Sequence, residues 1–139
     1  MQKKTMFIIC TCTFVVIILT LVGCFVDTSL RDEPWAKRLI GDWIVSKMVY
    51  LEVLDKAGWG VDGFLLSPRS EAWLPPKKAL RIDCGKIVTV MDVRSVISEP
   101  GRKFVLIGKV DINGSVYSFA SEIMKNSSPE DIKWATKVK

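Results

Sequence analysis

Residues 103–124 read KFVLIGKVDINGSVYSFASEIM, two runs rich in apolar and β-branched residues on either side of Asn113-Gly114. Asn-Gly tolerates positive φ at both central positions of a two-residue turn, the type I′ geometry whose twist matches paired strands. A hairpin is therefore predicted, with strands Lys103–Ile112 and Ser115–Met124. Upstream lie further strand candidates, Ala79–Asp83, Lys86–Asp92 and Val93–Ser98. Cys84-Gly85 and Glu99-Pro100-Gly101-Arg102 punctuate them.

From Gly41 onward, Trp43, Val45, Val49, Leu51 and Val53 share one parity, interrupted by Lys47. This pattern suits a long strand reaching Leu54; a helix through Ile44, Met48 and Leu51 is the rival. The β-branched content and the turn residues Gly58, Gly60 and Gly63 favour the strand. Phe64–Ser67 is a short strand candidate, and Pro68–Lys78, with Pro68, Pro75 and Pro76, is predicted as loop. At the C-terminus, Ser128-Pro129-Glu130-Asp131 starts like a helix, with a capping residue, an early proline and acids in the first turn. Ile132, Trp134, Thr136 and Val138 then alternate with Lys133, Ala135, Lys137 and Lys139. A helical turn feeding a final strand reconciles the two signals. The fold class expected is all-β, a small antiparallel meander or barrel, since many short strands must bury one face without leaving long edges open.

The N-terminus reads as an address. Met1–Lys4 carry two lysines, and Met6–Gly23 then run without a charged side chain, the order of an export signal. As a helix, Met6–Val26 would span roughly 31 Å, so length alone also allows a spanning anchor. Leu21, Val22, Gly23 and Cys24 resemble the lipobox of bacterial lipoproteins. The resemblance implies cleavage between Gly23 and Cys24 and acylation of Cys24. Several acyl chains hold a protein stably where one holds it marginally. Phe25 follows where an aspartate would resemble a retention signal of the inner membrane, so in a Gram-negative cell the resemblance implies the periplasmic face of the outer membrane. Residues 1–23 are then a signal peptide and 24–40 a lipidated tether with a short helical turn at Pro34–Ile40. Residues 41–139 form the β domain. The tether segment from Phe25 to Arg38, fully extended, would reach at most about 46 Å.

Composition removes several functions. The chain has 20 Lys+Arg, 15 Asp+Glu and no histidine. Ser-His-Asp or Cys-His relays are thereby excluded, and catalytic zinc sites are disfavoured. Loss of Lys3 and Lys4 with the signal lowers the net charge from +5 to +3 and leaves 116 residues. Basic residues are not interleaved with aromatic platforms, so no nucleic-acid partner is expected. Cys10 and Cys12 leave with the signal, and Cys84, then without an internal partner, is either buried and inert or available for an intermolecular bond, with burial favoured. Asp83, Cys84 and Lys86 gather at one turn, where a thiol beside a lysine could react, but a hairpin turn with a half-buried thiol is the reading preferred. Asp55, Asp62 and Glu71 around the glycine-rich segment match no EF-hand spacing. No enzyme activity, cofactor or metal is expected.

Leu39, Gly41, Asp42 and Trp43 resemble the G-x-W element that opens the first strand of lipocalin-like (calycin) barrels. That family places a basic residue of the last strand over the tryptophan ring, a part implied here for Lys137 or Lys133. A tryptophan in the core of some other small β-sandwich or roll is the alternative. The Trp59–Leu74 stretch holds more large apolar residues than glycines and prolines let into a core, and Trp59, Phe64, Trp73 and Leu74 are candidates to meet a ligand or partner. The function expected is a non-catalytic binding module for a small lipophilic ligand. The alternative is a protein-binding adaptor, inhibitor or immunity lipoprotein.

Overall fold

The computed structural model describes residues 28–55, 58–98 and 101–139. Gly23 and Cys24 lie outside them. Among the described residues nine strands form one strongly curled, half-barrel sheet. They are β1 (Thr28–Ser29), β2 (Gly41–Val45), β3 (Val49–Val53), β4 (Gly63–Leu66), β5 (Ala79–Ile82), β6 (Ile87–Ser98), β7 (Gly101–Ile112), β8 (Ser115–Ile123) and β9 (Ala135–Lys137). The order across the sheet is β5-β3-β4-β8-β7-β6-β2-β9, with β1 added beside β6. β6, β7 and β8 follow one another as an antiparallel meander, β3 and β4 are a second successive antiparallel pair, and β4 runs parallel to β8.

The Asn-Gly hairpin forms as expected: Asn113 has φ 54° and Gly114 φ 86°, and Ile112 faces Ser115. Two other expectations need correction. The long strand from Trp43 to Leu54 breaks after Val45, where the Trp134 carbonyl accepts hydrogen bonds from both the Ser46 N–H (2.9 Å) and the Lys47 N–H (3.1 Å). Lys47 stays exposed at this bend, which is why it interrupts the parity shared by Val45 and Val49. Conversely, Lys86–Asp92 and Val93–Ser98 are one strand. Its register against β7 shifts between Val90 and Asp92, leaving Met91 as a bulge. The extra residue flips the alternation, so Val88 and Val90 before it and Val93 and Ser95 after it are buried.

The bend organises the sheet. Ile44 faces Ile87 on one side of it and Val49 faces Ile82 on the other. Four residues separate the two pairs on each side, 45–48 and 83–86, so the register of β2 on β6 carries over unchanged to β3 on β5 through a shared corner. The Val45 N–H donates to the Lys86 carbonyl (2.8 Å) and the Gly85 N–H to the Val45 carbonyl (2.8 Å) inside that corner. Bending both sides together curls the sheet round a core of Trp43, Leu39, Leu51, Ile82, Val88, Leu106 and Phe119, with Trp134 packed edge-on to Phe119 at 6.2 Å.

Of the segment 24–40 expected as a tether, residues 28–40 are described, and they pack on the sheet. Thr28 and Ser29 pair with Ser95 and Arg94, and the Leu30 N–H donates to the Val93 carbonyl (2.7 Å). A one-turn helix, Pro34–Lys37, buries Ala36, while Trp35 meets Phe104 edge-on at 6.2 Å. Leu30, Trp35, Ala36 and Leu39 thus place apolar surface on the core, and residues 28–40 belong to the folded body. At the other end the helical turn, Pro129–Asp131, and the strand β9 both form.

Candidate functional site

The parallel pairing of β4 with β8 lasts for two residues, Gly63 opposite Phe119 and Phe64 opposite Ala120. Asp62 fixes its start. The Asp62 N–H donates to the Ser118 carbonyl (3.1 Å) and hydroxyl (2.9 Å), and its carboxylate accepts from the Ser118 N–H (2.8 Å) and hydroxyl (3.0 Å). Beyond Phe64 and Ala120 the strands part. β4 stays with β3, pairing Leu65 with Leu51 and Leu66 with Tyr50, while β8 stays with β7 through Ser121, Glu122 and Ile123.

The parting opens a groove of ≈ 1180 Å³. Leu65, Ile123 and Trp134, each partly buried against the main core, contribute its apolar lining. One wall is the proline-rich loop, where Trp73 rests on Tyr50 with ring centroids 5.4 Å apart and Leu74 is 84% exposed. The other wall is the turn after β8, where Met124 is 78% exposed. That turn is held by the buried Ser127, whose hydroxyl donates to the Met124 carbonyl (2.7 Å) and accepts from the Met124 N–H (3.2 Å). Arg69, Glu122, Lys125, Asp131 and Lys133 supply the groove's charges.

The four candidate contact residues divide between two faces. Trp73 and Leu74 line the groove. Trp59 and Phe64 pack edge-on, 5.1 Å apart, over a second cluster of Val61, Val96, Val105, Ile107 and Ala120. Alternation along β7 explains the split, because Val105 and Ile107 point away from the face that carries Leu106 and Val110. Trp59, at φ 63°, also offers its carbonyl to Arg94 (3.4 Å), so its loop closes over the outer face of the sheet.

Gly41 begins β2, and Trp43 is buried with its indole N–H donating to the Leu39 carbonyl (2.9 Å). Lys137 faces Trp43 across the β2–β9 ladder and its ammonium donates to the Arg38 carbonyl. Lys133 lies elsewhere, donating to the Glu130 carbonyl (2.8 Å). Cys84 is exposed, contrary to expectation, because the chain turns at Asp83–Lys86 instead of continuing the alternation of β5. Its thiol lies 3.4 Å from the Ser46 carbonyl. Of the carboxylates around the glycine-rich segment, Asp62 is committed to Ser118 and Asp55 lies 3.7 Å from Lys78.

Asp131, on the groove wall, accepts hydrogen bonds from the Ser128 N–H (2.7 Å) and hydroxyl (3.1 Å). These two donors, the backbone one first, hold its carboxyl below the usual aspartate range. A depressed folded-state pKa contributes stability that is complete above the unfolded value, about 3.9, and is lost as pH falls from there through the folded value. Acidification through that window is expected to loosen the Ser128–Asp131 turn, read by NMR chemical shifts of residues 128–131. Asp131→Asn should remove the titration; an unchanged profile in the variant would assign it to another group.

Leu65 and Leu66 belong to the apolar stretch singled out in the sequence, whereas Ile123, Met124 and Trp134 carry no such signal, since nothing local marks where two distant strands diverge. Comparison with known proteins finds no family model, no curated protein and no solved structure that matches this chain.

Proposed function

We propose that this protein is a lipid-anchored, non-catalytic binding module of a bacterial envelope and that the groove between β4 and β8 is its binding site. The observation that carries the reading is the parting of the two strands, which exposes an apolar lining where a closed sheet would hide it. The curled face is occupied by Trp43, Phe119, Leu39 and Leu51, all fully buried. A small lipophilic ligand would have to displace that packing or lie in the open, so a protein partner suits the site better.

Acylated Cys24 is the proposed anchor. Phe25, Val26 and Asp27 alone separate it from Thr28, a reach of at most about 14 Å. The body would then lie close against the bilayer, at the periplasmic face of the outer membrane. A lipocalin-like arrangement at the end where Trp43 is buried rests on the G-x-W resemblance and is supported by Lys137 lying opposite Trp43.

Two measurements test the reading. Cys24→Ser is expected to abolish acylation and to shift the protein from the membrane fraction; an intact Met1 on the membrane-bound protein would overturn the lipid anchor. A photo-crosslinking residue at Leu74 is expected to trap a protein in whole cells where the same residue at Val116, also exposed, does not. Equal adducts from both positions would remove the groove as the site. A lipophile co-purifying with the native protein and lost in Trp73→Ala would restore the small-ligand reading.

A further inference from the structure

We propose that the groove accepts an extended, acidic segment of a partner protein, added as a strand between β4 and β8. The inference rests on the binding reading above and names the occupant.

Along the groove each flanking strand is paired on one side only. Leu65 and Leu66 are bonded to β3, and Ser121–Ile123 are paired with β7. Among the described residues the β4–β8 pairing does not continue past Phe64 and Ala120. The two strands run in the same direction and face each other across the opening with their unpaired edges. A strand edge is a template for another chain, and main-chain hydrogen bonds then supply affinity while alternate side chains supply specificity. One face of an added strand would meet Leu65, Ile123 and Trp134, and the other would pass beneath Trp73, Leu74 and Met124. At ≈ 1180 Å³ the groove exceeds the range of about 300–1,000 Å³ usual for small-molecule sites.

Charge selects the segment. Of the groove's acids, Glu122 is paired with the Lys103 ammonium (3.2 Å), while Asp131 stays ionised under the Ser128 donors and within the field of Lys133. Arg69 and Lys125 form no ion pair among the described residues, whereas the charge of Lys133 is offset by Asp131. The unbalanced positive charge on the walls suits aspartates and glutamates alternating with apolar residues.

The test is selection of short random peptides on the full-length chain in detergent, followed by amide exchange of the bound complex. Enriched peptides are expected to alternate acidic and apolar residues and to slow exchange at Leu65–Ser67 and Ser121–Lys125. Methylating one bonded peptide amide should weaken binding about fivefold, the effect of one lost hydrogen bond. Arg69→Glu with Lys125→Glu, both exposed and leaving circular dichroism unchanged, should weaken it on the order of tenfold. Peptides without acidic bias, protection mapped elsewhere, or indifference to amide methylation would each overturn strand addition. If Leu74 still traps a protein in cells, that failure leaves the binding reading standing; if it does not, both fall.

Discussion

Trp43→Ala is expected to destabilise the domain by about 3–5 kcal/mol, the usual cost of deleting a large buried aromatic side chain. Trp43 is 1% exposed in the main core, and its strand is paired on both sides, with Val88 of β6 and Lys137 of β9 facing it. Its loss leaves a cavity under the shared corner and removes the hydrogen bond to the Leu39 carbonyl. That carbonyl and Leu39 lie in the segment joining the one-turn helix to β2, so the substitution also loosens the N-terminal packing. Against total stabilities of about 5–15 kcal/mol, such a loss can leave the chain largely unfolded. Urea unfolding of the full chain followed by circular dichroism gives the shift. Trp43→Phe keeps most of the volume but loses the indole N–H, and its cost should fall to about 1–3 kcal/mol. Equal midpoints for wild type and Trp43→Ala would show that the core does not depend on this residue.

What was legible in the sequence was local. The Asn113-Gly114 hairpin was readable because its strands are adjacent and its turn residues satisfy a specific backbone demand. The C-terminal conflict was resolvable because the helical and strand signals act on successive segments, 129–131 and 135–137. Parity misled at two places. Met91 is a bulge, and one extra residue in a continuous strand looks like the end of one strand and the start of another. At Ser46–Met48 the alternation of buried residues survives a bend, so two strands look like one.

The site depended on non-local pairing. Asp62 and Ser118, which start the β4–β8 contact, are 56 residues apart, and no periodicity within either segment records that they meet. The same pairing decides the fate of the large apolar residues between Trp59 and Leu74. Phe64 and Leu65 are neighbours in sequence, yet one packs on the outer cluster and the other on the main core. Treating Trp59, Phe64, Trp73 and Leu74 as one surface was reasonable from composition, and only the face of the sheet on which each falls separates them. Cys84 illustrates the converse, because extrapolating the alternation of β5 past Ile82 carries the residue inward when the chain has already turned.

Gly63→Ala is expected to be the most damaging single-methyl addition, costing about 3 kcal/mol, the upper end for overpacking in a folded interior. A Cβ at Gly63 would sit 2.3 Å from the Glu52 carbonyl oxygen and 2.9 Å from its carbon, with the Leu51 side chain at 3.1 Å. The first two obstacles are backbone of the partner strand β3, which no side-chain rotation can relieve. Gly63 also faces Phe119, so any retreat of β4 from β3 disturbs the short contact with β8 that defines the groove's start. The variant should therefore lose stability and peptide binding together. Gly101→Ala is the control, because a Cβ there meets nothing within 4 Å, and its effect should stay within about 0.5 kcal/mol. Thermal unfolding of both variants, paired with affinity for a selected acidic peptide, separates the possibilities. Should Gly63→Ala unfold like the control, β3 and β4 are not in the close approach described, and the wedge between β4 and β8 would have to be built differently.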